Sequence, residues 1–430
     1  MRGNGVRHCL NLCAGILLAG GAFQAHGQAV FGSVTEARVL PLREQLEREA
    51  KDSRFRLGPI RLHPRLSLQG PTYTNNVRGT VGDRQPDWTG TVVGGVRYIV
   101  PAGTRVFVRG EISPSYYYAL NATELRRFGW VNHASLFAFL GKVTIEATGG
   151  YERETVPLSS EDLQPVGLTS TRFAVTSELD LFAKISLVGE VAGFGRRYDT
   201  TGSTPTSATQ ISSLEGDDLL LRGGLRYRLS SFLMLGGSYE RSRFRYTSAT
   251  NRNNDETGYV VSAQYQRIRL ALNGLVGIRE FRASDSSFPS YSGVTGAVLV
   301  SYQLLRPLTL QASWTRNLVG STYLENPYFV ETRYGAGFGL QLGRRIDLHG
   351  IFEIGTNRYP LVLNSGAVTP VARKDDVTVL KGDLSVRVFR AVRLVGGVSR
   401  SRYTSNIPGQ DRSVLAFTTT LDFGGLELLR

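Results

Sequence analysis

Asp218-Leu219-Leu220-Leu221-Arg222-Gly223-Gly224-Leu225-Arg226-Tyr227-Arg228-Leu229 has a period of two: Leu219, Leu221, Leu225 and Tyr227 oppose Arg222, Gly224, Arg226 and Arg228. Successive side chains of a strand point to opposite faces, so one face of this segment suits an apolar medium and the other suits water. The same split runs through Arg105 to Tyr117, where Val106, Val108, Gly110, Ile112 and Tyr116 oppose Arg105, Arg109, Glu111, Ser113 and Ser115. It returns at Ile346 to Gly355, with Leu348, Gly350, Phe352 and Ile354 against Asp347, His349 and Glu353. A soluble antiparallel sheet alternates too, with its apolar face turned inward, so alternation alone does not separate it from a membrane barrel.

Two further patterns do. The connections between alternating segments switch between tight and long: tight ones fall near Pro101–Gly103, Leu140–Gly141, Phe182–Ala183, Ser230–Ser231, Gln266–Arg267, Leu304–Pro307, Gly343–Arg345 and Arg390–Ala391. Polar stretches such as Glu154 to Ser170, Asp199 to Gly216, Thr247 to Asp255 and Arg358 to Lys374 lie between them. Short periplasmic turns with longer external loops are the layout of outer-membrane barrels. The ladder predicts about eighteen strands between positions 58 and 423, one of them over 268–282, and an even number returns both chain ends to the periplasm. Aromatics on the apolar face also come late in each strand: Tyr98, Tyr227, Tyr265, Tyr302, Phe338 and Phe423 in one direction, Tyr116, Tyr151, Tyr239 and Trp314 in the other. That sorting predicts two interfacial girdles, since amphipathic rings settle at membrane–water boundaries.

Composition agrees with this reading. With 41% hydrophobic and 20% charged residues the chain is too apolar for disorder, and it has no apolar run of eighteen residues from which to make a spanning helix. Arg2 and Arg7, the apolar stretch Leu10 to Phe23 and Ala25-His26-Gly27 read as an export signal over 1–27. Removing it takes away both cysteines, Cys9 and Cys13, and two of the 50 basic residues, leaving 48 against 36 acidic ones and a net charge of +12. The arginines alternate along strands without a basic stripe or stacking aromatics, which excludes nucleic acid as a partner and favours a basic lumen together with contacts to lipid headgroups and lipopolysaccharide. Residues 28–57 form a periplasmic leader in which Leu42 to Lys51 predicts a short helix, read as solvated rather than as a plug. Residues 58–430 form the barrel.

Gly58-Pro59-Ile60-Arg61-Leu62-His63-Pro64, then Leu66-Ser67-Leu68 and Tyr73 to Asn76, resembles the opening strand of the β-barrel porin 2 family. The resemblance implies an outer-membrane channel, with a polysaccharide as cargo and periplasmic export components as partners. A general or anion-preferring diffusion porin is the alternative, and a structural or adhesive barrel the third reading. Candidate selectivity residues on the lumen face are Arg97, Arg109, Arg172, Arg222, Arg226, Arg228, Arg269, Arg279, Arg333 and Arg387, interspersed with Glu111, Glu146, Glu178, Glu190, Glu353 and Asp383. No catalytic residue, metal site or cofactor is predicted: His349 beside Asp347 and Glu353 reads as a lumen polar group rather than a general base, and Asn251 to Glu256 as a surface loop rather than a cation site.

Overall fold

The computed structural model describes residues 42–53, 55–79, 84–159, 161, 165–199, 210–323, 326–360, 372–389 and 391–423. The expected signal at 1–27, the leader before Leu42 and the C-terminal Gly424 to Arg430 lie outside these residues. Helix α1 (Leu42–Asp52) leads into a short strand, β1 (Phe55–Leu57). Then come β2 (Ile60–Thr74), β3 (Asp87–Ala102), β4 (Val106–Ala119), β5 (Arg127–Leu140), β6 (Val143–Pro157) and β7 (Pro165–Phe182). They continue with β8 (Ile185–Asp199), β9 (Gly216–Arg228), β10 (Leu233–Tyr246), β11 (Asn254–Arg267), β12 (Leu270–Ala283) and β13 (Tyr291–Gln303). The last six are β14 (Leu308–Gly320), β15 (Tyr328–Leu342), β16 (Ile346–Arg358), β17 (Lys374–Phe389), β18 (Val392–Ser405) and β19 (Arg412–Phe423).

Each strand from β2 to β19 pairs antiparallel with its sequence neighbours, and β19 pairs back onto β2 from Ala416↔Thr74 to Phe423↔Leu66, closing an eighteen-stranded barrel. Closure satisfies every strand's ladder and leaves no edge exposed in lipid. The seam carries one irregularity. Pro71 has no N–H to give the ladder, and the register of β2 shifts between Gln69 and Thr72 on one side and between Phe417 and Thr420 on the other. Gly70 there has φ +118°, and an added Cβ would stand 2.7 Å from the Gly90 Cα, so only glycine fits. At the short-turn end, Gly141 and Gly343 take positive φ (both 69°), the left-handed conformation such turns need.

The two faces follow the period-two reading. Leu219, Leu221, Leu225 and Tyr227 are exposed on the outside, as are Ile112 and Tyr116 on β4 and Phe352 and Ile354 on β16. The polar face carries ion pairs that reach over an intervening strand, such as Arg226 on β9 to Glu178 on β7, which a concave inner wall permits. The tight connections all fall at one end, the periplasmic end of this layout. Several glycines on the outer face are roofed by an aromatic ring from the neighbouring strand. Tyr98 covers Gly110, Phe338 covers Gly350 and Phe173 covers Gly193, each pair directly opposite in register. Glycine relieves curvature and the ring restores the covered area.

Candidate functional site

The lumen has three tiers. The first, at the short-turn end, is built by α1. Leu46 and Ala50, four residues apart, lie on one helix face and pack on Ile99, Phe107 and Phe137, which point inward from β3, β4 and β5. Leu46, Ile99 and Phe137 have no exposed surface at all. Glu49 of the helix lies 3.9 Å from Arg109, whose guanidinium also sits over the Phe137 ring at 5.3 Å. The helix expected to be solvated is therefore docked against the wall, held by an apolar contact that the inner faces of β3 to β5 supply.

The middle tier is a belt of paired charges. Arg222 on β9 reaches Glu190 on β8 and Glu240 on β10, both at 2.7 Å. Arg279 on β12 links the same Glu240 at 3.2 Å to Glu256 at 2.8 Å. Arg226 pairs with Glu178 at 2.9 Å, Arg172 with Glu152 at 3.0 Å, and Arg65 with Glu111. Arg333 bonds Glu331 at 2.6 Å and the Asn357 side chain at 2.7 Å. His349 Nδ1 is 2.9 Å from Asp383, a cross-strand pair in the β16–β17 register. Sequence reading missed Arg65, Glu152, Glu240, Glu256 and Glu331 as members of this belt, although each sits at an alternating position on the inner face.

One expected lumen position is displaced. Arg269 is not on a strand: β11 ends at Arg267 and β12 begins at Leu270, so Ile268-Arg269 is the two-residue turn and Arg269 is exposed at the rim. The tight turn needs two residues outside the ladder, and the expected strand over 268–282 started inside it. Arg387 stands at the rim end of β17, opposite Arg393. Arg97 faces inward opposite Glu111 on β4. Among the girdle residues, Tyr116, Tyr151, Tyr227, Tyr239, Tyr302 and Phe338 are exposed on the outer face, while Tyr98, Tyr265, Trp314 and Phe423 are partly covered. Other exposed rings, Phe173 and Phe352 among them, lie mid-strand.

The third tier closes over the opposite mouth. Loop residues 321–323 and 326, between β14 and β15, are held from several directions. Glu161, from the β6–β7 connection, accepts from Ser321 Oγ at 2.8 Å and from the Thr322 N–H. Arg252 donates to the Ser321 and Asn326 carbonyls at 2.5 and 3.1 Å, and Gln210 to the Thr322 carbonyl at 2.8 Å. Arg373 lies over the rings of both Tyr323 and Tyr359 at 4.9 Å and pairs with Asp375. Burial pushes the Glu161 carboxyl above the usual range, against the hydrogen bonds from Thr322 and Ser321 and the charge of Arg373. Around Asn251 to Glu256 the carboxylates are taken by arginines, Asp255 by Arg243 and Arg245 and Glu256 by Arg279. Among the described residues no three His, Cys, Asp or Glu side chains gather as a metal site.

The architecture is similar to that of the outer membrane protein OpdK from Pseudomonas aeruginosa, with a TM-score of 0.51 at 13% identity over 84% of this chain and 98% of that one. OpdK with vanillate (TM-score 0.49, 12% identity, 84% and 98% covered) and OccK2 (OpdF) from the same organism with glucuronate (0.48, 11%, 85% and 98%) are also similar. No family model matches the chain, and no curated protein matches it. The chain has the fold of an outer-membrane β-barrel. The likeness of Gly58 to Asn76 to the porin 2 family rests on those residues alone.

Proposed function

We propose that the protein is a diffusion channel of the outer membrane that prefers small anionic solutes. The observation that carries this is the inner wall: a closed barrel of eighteen strands is wide enough to hold water, and its lining is arginine-rich with several cations left outside the paired belt. Arg97, Arg228 and Arg387 make no ion pair among the described residues, whereas Glu178, Glu190, Glu240 and Glu256 are each engaged by an arginine. Guanidinium groups attract carboxylates and donate planar hydrogen bonds to them.

Export of a sugar polymer is favoured less. Bonded loops cross one mouth and α1 stands in the other, so a polymer would need both tiers displaced, while a small solute needs only gaps between them. Reversal potentials in planar bilayers under a potassium chloride gradient test the reading. The expected sign is that of chloride preference, reduced in Arg97→Gln. A barrel that never conducts, even with residues 28–56 removed, would replace the channel by the structural reading.

A further inference from the structure

We propose that the short-turn end of the lumen contains an anion-binding pocket formed by Lys142, Lys184, Arg226 and Arg228, whose ligand is a small carboxylate or phosphate. These four cations line a cavity of about 240 Å³ together with Asp180 and Ser186. Strand pairing puts them there. The Lys184 carbonyl accepts from the Arg228 N–H at 2.7 Å, and the Lys142 carbonyl from the Asp180 N–H at 2.8 Å, so the turn residues continue the β8–β9 and β6–β7 ladders.

The contrast with Arg222 carries the argument. Both arginines are on β9 and face inward. Arg222 stands in register between Glu190 and Glu240, which neutralise it. Arg228 stands between Lys184 and Met234. Like charges directly opposite each other across a ladder repel, and among the described residues the side chains of Lys142, Lys184 and Arg228 have no partner that relieves this. Asp180 does not: its carboxylate accepts from Ser186 Oγ at 2.7 Å and makes no ion pair among the described residues. Glu178 answers Arg226 alone. At another pair of facing cations on this rim, Arg387 and Arg393, the second has Asp347 at 3.7 Å. A bound oxyanion accepting from Arg228 and the two ammonium groups would supply the missing charge. The pocket thereby becomes a collecting point for anions at the periplasmic end of the pore, a role that rests on the channel reading, whereas the binding itself does not.

Calorimetric titration of the detergent-purified barrel with inorganic phosphate, and separately with acetate, reads the pocket without conduction. Saturable binding should weaken about tenfold or more, equivalent to the loss of at least one charge-assisted contact, in Lys184→Ala/Arg228→Ala. It should be unchanged in Arg306→Ala, which removes a cation from a different short turn. Heat-dependent gel mobility reports folding, and Lys184→Gln alone serves if the double variant does not fold. Equal affinity in the altered and unaltered pockets, or no binding, overturns the proposal. Repeating the phosphate titration in phosphatidylcholine nanodiscs with and without phosphatidylglycerol separates the sources of the ligand: competition by the anionic lipid assigns a headgroup phosphate, and its absence a free solute. Cation preference in the bilayer with binding intact would remove the channel reading and leave the pocket.

Discussion

Among single residues, Glu161 has the most consequence for how the mouth behaves. It is 3% exposed, and its carboxylate accepts from two groups of a loop 160 positions away. Because burial raises its carboxyl pKa, the docked loops bind a proton more tightly than undocked ones would, so acid favours docking. The extra stability is complete below the ordinary glutamate value of about 4.3 and is lost as pH rises through the raised value. Arg373 opposes the shift and the Tyr359 hydroxyl, itself pushed well up by burial and then by Glu161, stays neutral throughout. Single-channel conductance should therefore increase as pH rises from about 4, and Glu161→Gln should flatten the profile at its low-pH level. A profile unchanged by the substitution would show that this carboxyl does not govern the loops. Nothing local in the sequence marks Glu161 out: it is one acid in a polar connection, and its partners come from the far side of the barrel.

At the level of elements, strands and helix were legible to different degrees. Period-two alternation marks the strands because each crosses between two media that differ in polarity, and the tight turns announce themselves through residues such as Gly141 and Gly343 that adopt positive φ. The docking of α1 was not legible in the helix, whose single apolar stripe suits a solvated leader as well. The signal lay instead in the strands, where Val106-Phe107-Val108 and Leu136-Phe137-Ala138 are apolar on both faces and so break the alternation. Phe107 and Phe137 face inward because α1 covers them. Leu46→Ala should weaken docking by about 2–5 kcal/mol, the usual cost of emptying a buried leucine site. Leu46→Asp should release the helix, since the carboxylate would be buried without a partner. Both variants should keep their heat-dependent mobility and show larger conductance steps than the parent protein, in the order Asp above Ala. Unchanged steps would mean that the helix lies clear of the conducting path.

For the molecule as a whole, closure and the two-sided wall make stability a matter of which face a charge is placed on. Leu225 and Ile354 are exposed on the outer face of β9 and β16, at 55% and 47%. In water such exposure would be a liability, but here the surrounding medium is hydrocarbon and the same side chains are solvated by it. Arginine at either position should cost up to about 2–4 kcal/mol, the cost falling with distance from the bilayer midplane. Their neighbours in sequence face the lumen, where charge is tolerated. Arg226→Ala breaks one partly exposed ion pair with Glu178, an interaction worth about 1 kcal/mol or less, and Glu353→Ala removes an inward-facing carboxylate. Urea unfolding of the four variants reconstituted in vesicles measures the difference directly. Leu225→Arg and Ile354→Arg should lower stability several times more than the two alanine variants. Equal losses would require that the faces be exchanged, and with them every lumen residue on which the anion preference rests, because a one-residue slip in register turns each side chain to the other medium.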